Sequence, residues 1–128
     1  MSDPLPDRLT PLEARIMDCV WDLGEATARQ VKERLAATRP MAYTTVQTMM
    51  ALLRDKGFLT SRRQGRADVY VPLVDRQAMG RRRLREVMDQ FFSGSAAALV
   101  SHLVDLDGVG KEEIEAMRRT VGACEREK

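Results

Sequence analysis

Ala42-Tyr43-Thr44-Thr45-Val46-Gln47-Thr48-Met49-Met50-Ala51-Leu52-Leu53-Arg54-Asp55-Lys56-Gly57 is the stretch whose reading decides the fold. Val46, Met49, Met50 and Leu53 recur at i, i+3, i+4, i+7, which makes one apolar stripe on a helix. Thr44, Gln47, Thr48 and Ala51 recur at the same spacing on the other side. That second face is short and polar, as on a helix that approaches another surface closely and hydrogen-bonds to it. Thr44 or a neighbour is placed to cap the first turn, with Gln47 answering three residues on. Lys56 puts a cation in the last turn, and Gly57 suits a left-handed cap. Two readings fit the helix alone: a DNA recognition helix, or a core helix with a solvated outer face. The flanking segments favour the first.

Upstream, Thr10-Pro11-Leu12-Glu13 is a helix start with a capping box and proline at the first helical position. Leu12, Ile16, Val20 and Leu23 follow at helical spacing, with Trp21 beside them. Leu23-Gly24 ends the helix and Glu25-Ala26 is a short extended link. Thr27 to Gln30 repeats the capping-box pattern, with Ala28, Val31 and Leu35 facing inward and Lys32, Glu33 and Arg34 outward. Thr38-Arg39-Pro40 stops this second helix, since the residue before proline is pushed out of the helical region. A short turn into the third helix makes a helix-turn-helix. Downstream, Phe58 to Arg63 and Asp68 to Leu73 are two β-prone runs joined by Gln64-Gly65-Arg66-Ala67. Three helices followed by a hairpin describe a winged helix. Arg62, Arg63 and Arg66 cluster at the tip of the wing, where arginines are well placed for phosphates or a narrow minor groove; Arg54 and Lys56 lie nearby.

The boundary is set at Val74-Asp75, giving a DNA-binding domain over 1–75 and a helical domain over 76–128. Leu84, Val87, Met88, Phe91 and Phe92 form a wide apolar stripe flanked by Arg81, Arg82, Arg83 and Arg85. Ser93-Gly94-Ser95 breaks the helix, and Ser95 caps the next, from Ala96 to about Leu106, which carries Leu99, Val100, Leu103 and Val104. Gly108-Val109-Gly110 breaks again. The last helix, from Lys111 to about Glu125, places Ile114, Met117, Val121 and Cys124 in near-heptad spacing, with Glu112 and Glu113 suiting its dipole. So small a helical piece buries too little surface by itself. The expectation is a two-fold homodimer through Leu84, Val87, Met88, Phe91, Phe92, Leu99, Leu103, Ile114, Met117 and Val121; the other option is that these helices fold back on the winged helix of their own chain.

Composition agrees with this class. Of 128 residues 44% are hydrophobic and 31% charged, a soluble globular balance, and the net charge of +2 is modest for a nucleic-acid binder, so the placement of the cations matters more than their number. No apolar run reaches the length of a membrane span, so no membrane insertion is expected, and the polar start Met1-Ser2-Asp3-Pro4 points to the cytoplasm. Cys19 and Cys124 are far apart and are expected to be reduced and partly buried. The one histidine, His102, has no nucleophile partner, and there is no phosphate loop or metal spacing. The expectation is a non-enzyme with no cofactor and no metal.

With these residues in view, the chain resembles the BlaI/MecI/CopY family of bacterial repressors, also called penicillinase repressors. The likeness runs from about residue 9 to residue 121. It rests on Leu9-Thr10 with Glu13, Val20-Trp21, Gly24-Glu25-Ala26-Thr27-Ala28-Arg29-Gln30-Val31, Ala42-Tyr43-Thr44-Thr45-Val46 and Leu53-x-x-Lys56-Gly57-Phe58-Leu59. Gly65-Arg66-Ala67-x-x-Tyr70, Phe92-x-Gly94-Ser95 and Ala98-Leu99-Val100-Ser101-His102-Leu103 complete it. The resemblance implies a homodimeric winged-helix repressor of antibiotic- or stress-response genes, bound to a two-fold symmetric operator with TACA and TGTA half-sites. Carried over, Thr44 and Gln47 read base edges, since glutamine pairs with adenine and the threonine methyl meets a thymine methyl. Tyr43, Thr45, Thr48, Arg63 and Arg66 hold backbone phosphates. The resemblance also implies a membrane-bound sensor protease as partner and relief by cleavage in the C-terminal part. The family's Asn-Phe bond is absent here; the matching position is His102-Leu103. The paired cysteines of the copper-responsive members are absent as well.

Two other classes remain as alternatives: a winged helix that binds protein, and a ligand- or redox-responsive regulator. The first would place apolar or acidic residues where Thr44, Gln47 and Arg66 stand.

Overall fold

The computed structural model describes residues 8–127; the polar start at Met1 to Pro4 lies outside them. Contacts divide the chain into two units, Met1–Gly80 and Arg81–Lys128.

The first unit is built on its caps. Helix α1 (Pro11–Leu23) begins at Thr10, whose side chain accepts from the Glu13 N–H while the Glu13 carboxylate accepts from the Thr10 N–H at 2.9 Å. Strand β1 (Ala26–Thr27) is one residue further on than the extended link read from sequence. Thr27 then caps α2 (Ala28–Leu35) in a second reciprocal box with Gln30. This helix ends at Leu35, ahead of the expected stop, with a turn through Ala36.

Helix α3 (Tyr43–Asp55) differs from expectation at its start. Its N-cap is Ala42, in extended conformation, and no side chain caps it. Thr44 lies past the cap, inside the first turn, where its backbone is already helical and its side chain cannot serve the free N–H groups. The far end follows the sequence reading. Lys56 is the C-cap, Gly57 takes φ 94°, and the Gly57 and Phe58 N–H groups donate to the Arg54 and Leu53 carbonyls at 3.1 and 2.9 Å. This double closure needs a left-handed residue, which glycine supplies without strain.

The wing follows as β2 (Leu59–Gln64) and β3 (Ala67–Pro72), antiparallel, with Gln64 opposite Ala67. The connection is two residues, Gly65-Arg66, tighter than the four expected. Gly65 at φ 64° occupies the first central position, where a type II′ turn calls for glycine. Strand β3 is central, with β1 paired on its other edge through Ala26 opposite Tyr70. Ile16, Met17, Val20, Val31, Val46, Met50, Leu53 and Phe58 are all fully buried between helices and sheet. Each contributes roughly 1.5–3 kcal/mol of burial. Leu23, expected on the inner stripe of α1, is exposed at its last turn, and Met17 holds the core position.

Helix α4 (Arg76–Phe91) begins in the first unit. The Trp21 indole donates to the Val74 carbonyl at 3.0 Å, Arg76 pairs with Asp18 and Asp22, and Met79 is buried in the core. These contacts carry the division past Asp75, to between Gly80 and Arg81.

The second unit continues α4 and adds α5 (Ala96–Val104) and α6 (Lys111–Glu127). Ser95 caps α5 through the Ala98 N–H at 3.0 Å, and Ser93 and Gly94 turn the chain with positive φ. No residue of α5 is buried. No helix among the described residues is long and apolar enough to cross a membrane.

Candidate nucleic-acid interface

Helix α3 has a buried side, Val46, Met50 and Leu53, and an outer side on which Tyr43, Thr44, Thr45, Gln47 and Thr48 are all exposed. The Thr48 hydroxyl donates back to the Thr44 carbonyl at 2.9 Å, as helical threonines do. The Gln47 amide donates to the Tyr43 hydroxyl at 3.2 Å. With no side-chain cap on this helix, the first backbone N–H groups are open to an anion.

Between this helix, the start of α2 and the wing lies a cleft of about 410 Å³. Tyr43, Gln47, Ala51 and Arg54 line it from α3, Thr27 and Arg29 from the start of α2, and Arg63, Arg66 and Tyr70 from the wing. It therefore gathers Tyr43, Gln47, Arg63 and Arg66 from the expected site. Thr44, Thr45 and Thr48 stand on the outer face of α3 beside it.

The wing cations are not one cluster. A strand turns alternate side chains to opposite faces, so Arg63 faces the cleft with Ser61 while Arg62 faces away. Arg62 forms a two-point pair with Glu25 at 2.6 and 3.0 Å. That contact holds the Glu25 carboxyl below the ordinary range and raises the guanidinium. Lys56 is also withdrawn: its ammonium lies 2.6 Å from the buried carboxylate of Glu13. Burial works against the Glu13 charge, but the Lys56 contact and the Thr10 N–H outweigh it, and the group titrates below its ordinary value. Arg63, largely in water, lies 3.3 Å from the half-buried Asp68, an arrangement worth little. Arg66 holds no ion pair among the described residues.

Two further arginines line the cleft, Arg54, which the sequence places near the wing, and Arg29, which no sequence signal brings to the site. Arg29 packs over the Tyr43 ring, 5.6 Å from its centroid, and Arg54 lies 5.9 Å over Tyr70 while donating to the Ser61 hydroxyl. Arginines over tyrosine rings keep their charge and lose little freedom on meeting a phosphate. A signal for Arg54 was present, since it lies two turns from Gln47 on α3. Arg29 is separated from α3 in sequence and needed the fold.

In the second unit, Leu84, Val87, Phe91 and Val121 are exposed, Phe91 by 73%. Met88, Phe92, Leu99, Leu103, Ile114 and Met117 are half-buried. An apolar groove of about 760 Å³ runs between α5 and α6, lined by Val100, Val104, Ile114, Met117 and Val121. From α5 it takes Val100 and Val104 rather than the Leu99 and Leu103 read from sequence, because one residue of helix turns the face by about 100°. His102 is exposed, bonded through Nδ1 to the Ala98 carbonyl at 2.9 Å and 4.9 Å from the Phe92 ring. Cys19 is buried, which pushes its thiol up; Cys124 is exposed, against the expectation of partial burial.

Comparison with known proteins agrees with this geometry. The transcriptional regulator BlaI of Mycobacterium tuberculosis is 37% identical over 120 residues, covering 92% of this chain and 86% of that protein. The solution structure of the DNA binding domain of the repressor BlaI is 29% identical with a TM-score of 0.50, covering 54% of this chain and 84% of that one. The monomeric form of BlaI from Bacillus licheniformis, solved in complex with the blaP half-operator, is 27% identical with a TM-score of 0.50, covering 57% and 89%. The family model described as penicillinase repressor matches residues 9–123, and the chain therefore belongs to the penicillinase repressor family, whose named members are regulators of transcription and not enzymes.

Proposed function

We propose that this chain is a sequence-specific repressor that binds a two-fold symmetric DNA operator as a homodimer. The observation that carries it is the cleft: the polar outer face of α3 and a wing bearing Arg63 and Arg66 meet over one concave, arginine-lined surface. Helix α3 enters the major groove, where Thr44 and Gln47 meet base edges. Tyr43, Thr45, Thr48, Arg63 and Arg66 hold backbone phosphates, joined by Arg29 and Arg54. The relative solved on a half-operator supports one winged helix per half-site. In this reading the first unit binds DNA and the second joins two copies, through the exposed face of α4 and the groove between α5 and α6.

Relief of repression belongs to the same reading. A membrane-bound sensor protease leads to a cut near His102-Leu103. Support comes from α5 itself: a nine-residue helix without a buried residue opens locally at little cost. Separating the dimer helices would turn a bivalent binder into two monovalent ones.

The test is fluorescence anisotropy with two labelled duplexes across a salt series, one carrying a symmetric TACA/TGTA site and the other its scramble. The expected result is preference for the symmetric site with affinity that falls steeply as salt rises, as phosphate contacts require. Equal, weak binding to both duplexes would remove the operator assignment. Salt-insensitive binding would favour a protein-binding module.

A further inference from the structure

Gln47 is held by its neighbours on the outer face of α3. One of its amide hydrogens points to the Tyr43 hydroxyl, 3.2 Å away and one turn earlier. The Tyr43 ring is in turn held by Arg29 of α2, whose guanidinium lies 5.6 Å from its centroid. All three side chains line the same cleft.

The chemistry of an amide makes this arrangement matter. A glutamine that reads adenine must accept with its oxygen and donate with its nitrogen, and a half-turn of the terminal torsion exchanges the two. That torsion is broad and roughly two-fold, so an unsupported glutamine presents both orders. A hydroxyl can also donate, so Tyr43 fixes the order once its own hydrogen is given to an acceptor such as a phosphate: its oxygen can then only accept, one amide N–H stays on it, and the second N–H and the carbonyl are left for a base. One hydroxyl thus links the backbone contact to the base contact.

We infer that Tyr43 is a positioning residue for Gln47: its hydroxyl sets the orientation in which the amide meets a base, and Arg29 steadies the ring. This rests on the reading of Gln47 as a base reader, and the test separates the two. The full-length chain, Tyr43→Phe, Gln47→Ala and the double variant are titrated against the symmetric duplex and a panel with each half-site base pair changed in turn. Thermal melting of each variant checks folding. Gln47→Ala is expected to flatten the preference at one base pair. Tyr43→Phe is expected to lower the preference at that same base pair about three- to tenfold, and to lower it no further once Gln47 is alanine. Arg29→Met, which keeps the stem and removes the charge, should give a smaller loss at the same base pair.

If Tyr43→Phe weakens every duplex alike and leaves that preference intact, Tyr43 is a phosphate contact only and the inference is wrong. If Gln47→Ala leaves every preference intact, the base-reader assignment fails, and the positioning role fails with it.

Discussion

The two units handle the same kind of sequence pattern in opposite ways. In the first, apolar residues at helical spacing disappear from the surface: Ile16, Val20, Val46, Met50 and Leu53 are fully buried. In the second, an equally regular stripe stays in water: Leu84, Val87 and Phe91 are exposed, and an apolar groove stands open between α5 and α6. Periodicity says which face is apolar, and the number of elements around it says whether one chain can cover it. The first unit has three helices and a sheet around one centre. The second has three helices and no comparable centre, and a matching surface on a second copy is what the proposed dimer supplies.

The comparison can be broken most sharply at its buried end. Phe58 is fully buried where α3 meets the wing. Phe58→Ala should lower stability by about 3–5 kcal/mol, read by denaturant unfolding. A loss below about 1 kcal/mol would mean that the core relaxes around the gap.

At the exposed end, Phe91→Asp should abolish the dimer in sedimentation while the circular dichroism of the winged helix persists. The accompanying loss of avidity should weaken operator binding by about a hundredfold. A dimer that survives would place the seam elsewhere on the second unit.

Smaller effects test the ion pair between α1 and the end of α3. Lys56→Ala leaves the Glu13 carboxylate buried without its cation and should cost about 2 kcal/mol near neutral pH, less than a fully buried pair because Lys56 is half in water. Glu13 has a lowered pKa when folded, so its contribution is present above the ordinary carboxylate range and is lost as pH falls through the folded value. The gap between the unmodified chain and Lys56→Ala should therefore narrow on acidification. A gap independent of pH would assign the effect to packing of the lysine stem.

The smallest effect concerns the wing. Arg66→Ala should weaken binding to all duplexes similarly, by under about 1 kcal/mol, and reduce the salt slope by about one. A change of sequence preference would mean that Arg66 reads bases.

The fold was legible where its signals are local. Two capping boxes, at Thr10 with Glu13 and Thr27 with Gln30, and the glycines at 57 and 65 each act within a few residues, and each appears where the sequence puts it. The cap of α3 differs from the expectation because Thr44 and Thr45 offer the right chemistry two and three residues too late, behind Ala42. The site was legible as a set of residue types and less so as a charge map. Which cations remain free depends on Glu13, 43 residues from Lys56, and Glu25, 37 residues from Arg62. No spacing rule reaches that far. The place of Arg29 beneath Tyr43 follows likewise from the crossing of α2 and α3.

The contrast between a self-sufficient reader and an uncovered helical unit is tested most directly by one titration. The full-length chain is titrated at fixed salt against a duplex with two symmetric half-sites and against one with a single half-site. A dimer with two readers should bind the two-site duplex at least about a hundredfold more tightly. Equal affinity for the two duplexes would contradict this, since a chain that reads one half-site alone has no use for the apolar surface of α4 to α6.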